Sequence, residues 1–278
     1  MSTRRCLLVG ISGVSSSGKT TLARLLRDII PNTFILHEDD FYKTDKEIPI
    51  KNGVADWDCL ESINLPEFEQ TLKFIKDKGA LPPDFQSKED QNSVGEAGVN
   101  KDVVEQLKKR THVSLHGRPG PSVAIIDGFL LFSEEMKAVR DLFDIKLFLR
   151  TDYKTAKARR EARSGYVTLE GFWEDPPGYV DKVVWPNYVN DHAFYSETET
   201  LKGHLMESCG INGVIGVTEV SDGDTSLFVV ITGDFSMIKM DVMPGSFMAG
   251  ELSQNKDCQL KENIIEPSSN GPSAEEAG

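Results

Sequence analysis

Cysteine is scarce in this chain: Cys6, Cys59, Cys209 and Cys258 are the only four in 278 residues, and no two stand in a CxxC spacing. That pattern excludes a zinc ribbon, offers no disulfide framework and fits a reducing compartment. Long apolar runs are missing too. No stretch approaches the ~18 consecutive apolar residues of a membrane span. The opening run, Cys6-Leu7-Leu8-Val9, breaks at Gly10 and Ser12 before the apolar segment of a signal peptide can form. A cytoplasmic protein with no membrane partner is therefore expected. Cationic residues are outnumbered, with 31 Lys and Arg against 44 Asp and Glu and a net charge of −13. A broad nucleic-acid-binding face is excluded, because such a face neutralises phosphates with excess Lys and Arg. The five histidines, His192 among them, fall in no metal-ligand spacing, and no internal repeat is present.

What is present is strand and helix in alternation. An apolar strand, Cys6 to Ile11, leads through a Gly/Ser turn into Thr20 to Ile30, where Leu22, Leu25, Leu26, Ile29 and Ile30 recur at helical spacing. Further strands are predicted at Thr33 to Leu36, Ser122 to Ile126 and Ile145 to Leu149. Helical patterns separate them at Asn64 to Asp77 and Glu134 to Leu142, and a basic helix follows at Thr155 to Arg163. This order predicts an α/β class with a parallel sheet and crossover helices. The stretch 79–121 is polar and rich in Gly, Pro, Gln and Lys, with a possible helix at Asp102 to Arg110, and reads as a surface insertion. Later strands are expected at Gly213 to Val217 and Leu227 to Thr232, and 250–278 has the composition of a disordered tail.

Gly13-Val14-Ser15-Ser16-Ser17-Gly18-Lys19-Thr20 fits G-x-x-x-x-G-K-[ST] between a predicted strand and helix. The chemistry explains the spelling. Backbone N–H groups of the turn wrap phosphate, the helix N-terminus adds positive potential, Lys19 reaches the β- and γ-phosphates, and the Thr20 hydroxyl can ligate Mg²⁺. Gly13, Ser15, Ser16, Ser17, Gly18, Lys19, Thr20 and Thr21 are thus the candidate ATP-phosphate site. Asp39 and Asp40 follow the second strand, at the sheet edge where open α/β folds bind ligands. One carboxylate there can accept a proton from a substrate hydroxyl; the plain alternative is a loop acid or helix cap. Asp127 ends an apolar strand in the manner of a Walker-B acid that holds Mg²⁺, or else forms an Asp-Gly turn. Lys157, Arg159, Arg160 and Arg163 crowd one helix before the aromatic, Pro-rich Phe172 to Tyr179. They read as a phosphoryl clamp or lid, or as a solvated face. Trp57 beside Asp58 offers a stacking, charge-reading pocket.

Taken together, these residues resemble the nicotinamide riboside kinases, within the uridine-kinase-like group of P-loop kinases. The resemblance covers residues 6 to 192 and rests on Gly10 to Thr21, Asp39 to Lys43, Asp56 to Asp58, Asp127 to Phe132, Arg159-Arg160, Pro177 to Tyr179 and Val184 to Pro186. It implies a P-loop three-layer α/β sandwich with a mostly parallel sheet. The implied division is a kinase domain at 1–195, a C-terminal part of the same domain at 196–249, and a tail from 250. It further implies Asp39 as general base and magnesium partner. Asp39, Asp40, Phe41, Tyr42, Trp57, Asp58, Arg160 and Tyr166 would surround the nucleoside, Arg159 and Arg163 would face ATP, and Thr20, Asp39 and Asp127 would hold Mg²⁺. The family usually carries Glu at the position of Asp127 and Tyr at that of Trp57, and its last strand and helix are hard to match beyond residue 195. Ser221 to Asp224 is a weak match to a loop near adenine. ATP-dependent phosphorylation of nicotinamide riboside is the implied reaction. Uridine or cytidine phosphorylation, and a nucleotide-binding regulator without turnover, stay open on sequence alone. An aromatic wall with Asp40 and Asp58 favours the cationic pyridinium nucleoside over neutral uridine.

Overall fold

The computed structural model describes residues 6–89, 99–114, 120–168, 170–193 and 214–218. Its first strand, β1 (Leu7–Gly13), is buried along its whole length. Alternate residues point to opposite faces: Leu7, Val9 and Ile11 join one apolar cluster and Leu8 the other. A strand apolar on both faces belongs inside a parallel sheet covered by helices. Helix α1 (Lys19–Ile29) covers the first face with Leu22, Ala23, Leu26 and Ile29.

Strand β2 (Thr33–His37) leads into a short 3₁₀ turn, Glu38–Phe41. A small hairpin follows, β3 (Ile50–Lys51) with β4 (Val54–Ala55). Asn52 and Gly53 both take positive φ (53° and 79°), the requirement of a two-residue type I′ hairpin turn. Helix α2 (Leu65–Lys78) covers the second face with Phe68, Leu72 and Ile75. Helix α3 (Lys101–Ser114), inside the segment read as an insertion, lays Val104 and Leu107 against the cluster beneath α1.

After β5 (Val123–Asp127) the structure departs from expectation. The helix expected at Glu134 to Leu142 shrinks to α4 (Lys137–Arg140). Leading into it, the amides of Ser133, Met136 and Lys137 bond carbonyls three residues back, a tighter turn than an α-helix, and the Arg140 guanidinium also donates to the carbonyls of Phe132 and Ser133. Strand β6 (Ile145–Arg150) is followed by α5 (Tyr153–Glu161), capped by the Asp152 side chain on the Thr155 amide at 3.1 Å. Arg163, expected on this helix, lies beyond its end. A second hairpin, β7 (Tyr166–Val167) with β8 (Phe172–Trp173), precedes a wide helical turn, Val180–Val184, continuous with α6 (Trp185–Asp191). The late strand expected at Gly213 to Val217 is present as β9 (Val214–Thr218). Leu227 to Thr232, Ser221 to Asp224 and the tail from 250 lie outside the described residues.

The sheet is wholly parallel, in the order β2-β5-β1-β6-β9. Register aligns Ile11 and His37 on either side of Asp127, so three strand ends meet at one edge. Among the described residues no helix is long and apolar enough to cross a membrane.

The core also holds a titratable group. His192 is fully buried, 5.2 Å from the Phe148 ring and 4.9 Å from Tyr188, with Nδ1 2.9 Å from the Tyr188 carbonyl. Burial drives its pKa down to about 4, and Lys19 adds to that, against the opposing pull of the Tyr188 carbonyl. An unfolded imidazole protonates near pH 6.5. This contribution to stability is therefore whole above that pH and is lost as pH falls toward 4. Between about pH 7 and about pH 5 the native protein should lose roughly 2 kcal/mol more stability than His192→Asn, which keeps a donor for Tyr188. Urea unfolding at the two pH values measures the difference; equal losses would show that His192 does not carry it.

Candidate active site

The turn joining β1 to α1 is shaped for an anion. At Gly13 φ is 146°, and a Cβ would lie 2.3 Å from the Leu149 carbonyl oxygen, so both conformation and space demand glycine. Ser16 takes φ 63° and Gly18 φ 97°, turning successive peptide units into a concave loop at the helix N-terminus. The hydroxyls of Ser16 and Ser17 are buried there without a protein partner. Polar atoms are rarely left so unless a ligand supplies the bond. Lys19 is buried and its Nζ donates to the Val14 carbonyl at 3.1 Å, keeping the ammonium over the loop.

Beside this cradle lies the acidic edge. Asp127 Oδ2 accepts from the Thr20 hydroxyl at 2.6 Å and lies 3.2 Å from His37 Nδ1. Burial pushes the Asp127 carboxyl up, but the His37 bond and the charges of Lys19 and His37, with the Thr20 bond, outweigh it and hold the group below the usual carboxylate range. Burial alone would lower His37; the bond to Asp127 and the charges of Asp127, Asp40 and Glu89 raise it to about 8 instead. Glu38 is fully buried and accepts the Phe129 and Leu130 amides at 2.6 and 3.1 Å, fastening the chain just past Asp127. Its carboxyl is raised to about 7 by burial, against the pull of those amides and Lys19. Gly128 lies so close that a Cβ there would sit 2.4 Å from Glu38 Oε2.

Asp39 sits at the front of this edge, half-buried. Burial first, then the negative field of Glu89, Asp127 and Glu38, lifts its carboxyl well above the ordinary range, with Lys19 opposing. Its neighbour Asp40 has a different task. Asp40 Oδ1 accepts from Ser87 Oγ (3.0 Å) and from the amides of Lys88 (2.6 Å) and Glu89 (3.1 Å), capping the segment before α3. Phe41, expected around the nucleoside, turns into the core against Phe68 and Phe85, because the 3₁₀ turn directs it inward while Asp39 stays at the edge.

Across from the acids stands an aromatic wall. Trp57 meets Tyr42 edge-on (5.3 Å between centroids) and Trp173 (5.7 Å), and its indole Nε1 is buried without a protein partner. Asp58, expected to read substrate charge, is instead ion-paired: Arg160 donates to both its oxygens at 2.8 and 3.0 Å. Burial pushes the Asp58 carboxyl up, and the guanidinium limits the rise. Arg160 also binds Asp175 at 2.7 Å and lies between the rings of Tyr166 (5.0 Å) and Tyr179 (5.4 Å). Arg163 covers Tyr166 at 4.3 Å. The basic run therefore divides: Lys157 pairs with Asp181 at 2.7 Å, Arg159 is exposed on α5, and Arg160 is buried in the pocket wall.

Thr20, Lys19, Asp39 and Asp127 thus stand together, while Trp57, Asp58, Arg160 and Tyr166 form the facing wall. Sequence reasoning passed over His37, Glu38, Glu89 and Asp175. A charged pair immediately before Asp39 at a strand end was the available signal for the first two. Asp58 and Arg160 are far apart in sequence and carried none. Removing one partner of a buried ion pair leaves an uncompensated charge. Arg160→Met should therefore lower unfolding stability by roughly 3–5 kcal/mol, and adding Asp58→Asn should restore part of it. A urea series on both variants measures this; no recovery in the double variant would mean the loss is one of packing.

No family model matches the chain. A nicotinamide riboside kinase of Schizosaccharomyces pombe is 44% identical over 206 residues, spanning 74% of this chain and 87% of that protein. One of Eremothecium gossypii is 38% identical over 227 residues, spanning 80% and 88%. Among solved structures, a possible uridine kinase from Bacillus stearothermophilus is similar over 58% of this chain and 85% of that one, at 18% identity and a TM-score of 0.36. Identity at the level of the fission-yeast protein, across most of both chains, places this chain in the nicotinamide riboside kinase family.

Proposed function

We propose that the chain transfers the γ-phosphoryl group of ATP to the 5′-hydroxyl of nicotinamide riboside, giving nicotinamide mononucleotide for NAD salvage, in the cytoplasm. The observation that carries this reading is the identity of 44% to a nicotinamide riboside kinase, together with the meeting of Lys19, Asp39 and an aromatic pocket at one sheet edge. Phosphoryl transfer is mainly positioning and charge stabilisation. The loop amides and Lys19 hold and neutralise the ATP phosphates, and Arg159 and Arg163 face the nucleotide. Asp39 takes the proton of the attacking hydroxyl, and burial among neighbouring acids raises its affinity for that proton.

Trp57 and Tyr166 flank the base, with Tyr42 beside Trp57. Asp58 and Arg160, locked together, present fixed acceptors and donors to the ribose hydroxyls. Two carboxylates, Asp58 and Asp175, surround one guanidinium, so the cluster keeps a net negative charge when both are ionised, which favours a pyridinium ring over a neutral base. Phe41 acts from the core and Asp40 through the segment it caps.

The donor set also fits Mg²⁺. Asp39 is disfavoured as a carboxylate by three neighbouring acids, a field that a divalent cation would relieve. Thr20 and Asp127 offer oxygen atoms beside it. Mg²⁺ is commonly shared between one or two carboxylates and substrate phosphates. Thr20, Asp39 and Asp127 would hold it, and it would neutralise charge on the β- and γ-phosphates.

The test is ATP consumption with nicotinamide riboside, nicotinic acid riboside, uridine, cytidine or pantothenate. Nicotinamide riboside should give the highest kcat/KM. A preference for uridine or cytidine would reassign the substrate, and no turnover with any of them would make the chain a nucleotide-binding regulator. In the same assay Asp39→Asn should lower kcat by roughly 10²–10⁴ while ATP still binds, the scale of a lost general base. Asp40→Asn should keep a much larger share of turnover, and the reverse ranking would move the base to Asp40.

A further inference from the structure

Asp127 is held by two donors on the same oxygen, and the two have different obligations. The Thr20 hydroxyl gives its proton to Asp127 Oδ2 at 2.6 Å, while its lone pairs are what a cation would use. His37 Nδ1 lies 3.2 Å from the same oxygen. The pairing is built by the sheet: His37 and Asp127 are registered neighbours on adjacent parallel strands, each ending its strand, so their side chains share a face. Both are almost wholly buried, at 4% and 5% exposure. An imidazole in such a place is expensive to bury unless its N–H is used.

We propose that His37 is a positioning residue for phosphoryl transfer, whose Nδ1–H fixes the Asp127 carboxylate so that it can serve the Mg²⁺–ATP site. Without it, the carboxylate would hang on the Thr20 hydroxyl alone, a group that the cation also needs. Outer partners of this kind orient a ligand without touching the metal, and their loss typically weakens metal affinity by ~10–100-fold. The inference rests on the reading of Asp127 as a magnesium acid.

The test compares His37→Gln with His37→Asn in the full chain. The Asn amide nitrogen stands where Nδ1 does and can still donate to Asp127; the Gln amide reaches past it. Calorimetric titration with ADP, with and without Mg²⁺, gives the affinity gained from the metal. That gain should shrink by ~10–100-fold in His37→Gln and stay near wild type in His37→Asn, with metal-free ADP binding unchanged in both. In turnover assays the Mg²⁺ needed for half-maximal rate should rise by the same factor in His37→Gln, with KM for the nucleoside unmoved. If His37→Gln does not fold, His37→Ser, too short to reach, takes its place. An unchanged metal gain in His37→Gln overturns the proposal, and so does an Asn variant as weak as the Gln one. Asp127→Asn separates the two levels: if it leaves the metal gain intact, the reading of Asp127 itself fails. If Asp127→Asn abolishes the gain and His37→Gln does not, only the role of His37 falls.

Discussion

The site depends on the register of three parallel strands. Because β2, β5 and β1 run together with His37, Asp127 and Ile11 level, the residues after each strand emerge at one edge, and the phosphate loop, the 3₁₀ turn with Asp39 and the loop after Asp127 become neighbours. A slip of one residue in any of the three would turn its side chains to the opposite face. In β1 both faces are apolar and fitted to separate clusters, so a slip would misfit its side chains on both. Burial of the core and placement of the acids are therefore the same constraint.

That crowding of acids is the electrostatic signature of the site. Glu38, Asp39 and Asp127 lie within one short stretch of sheet edge, and the burial of each would favour its neutral form. Different partners decide the outcome. His37, Lys19 and Thr20 hold Asp127 low; backbone amides and Lys19 only moderate Glu38; Lys19 opposes the rise of Asp39 without cancelling it. One edge thus presents three carboxyls of different proton affinity, a property suited to dividing the tasks of holding charge, fastening backbone and accepting a proton.

The legible part of this arrangement was what chain neighbours determine. The phosphate loop has its spacing and its strand-loop-helix context, and β1, β2, β5 and β6 are dominated by apolar residues. What resisted reading was whatever depends on a partner far along the chain. Asp58 looked like a free charge because Arg160, 102 residues later, gives no local sign of reaching it. Asp40 looked like a twin of Asp39 until residues 87 to 89 arrived to be capped. Helix α4 is shorter than its apolar spacing suggests because the amides of Met136 and Lys137 bond three residues back rather than four, a choice the spacing does not reveal.

The contact between Glu38 and Gly128 reaches beyond this molecule's own geometry. The carboxylate occupies the space a β-carbon at 128 would need, and it grips the two amides that follow. Neither position is free to vary alone. A chain that replaces the glycine must also move Leu131 and the Glu38 β-carbon, each 2.7 Å from where the new β-carbon would lie, and one that loses the acid frees two amides. The glycine is therefore hemmed in from two directions, and a substitution at 128 is interpretable only when the residues at 38 and 131 are known.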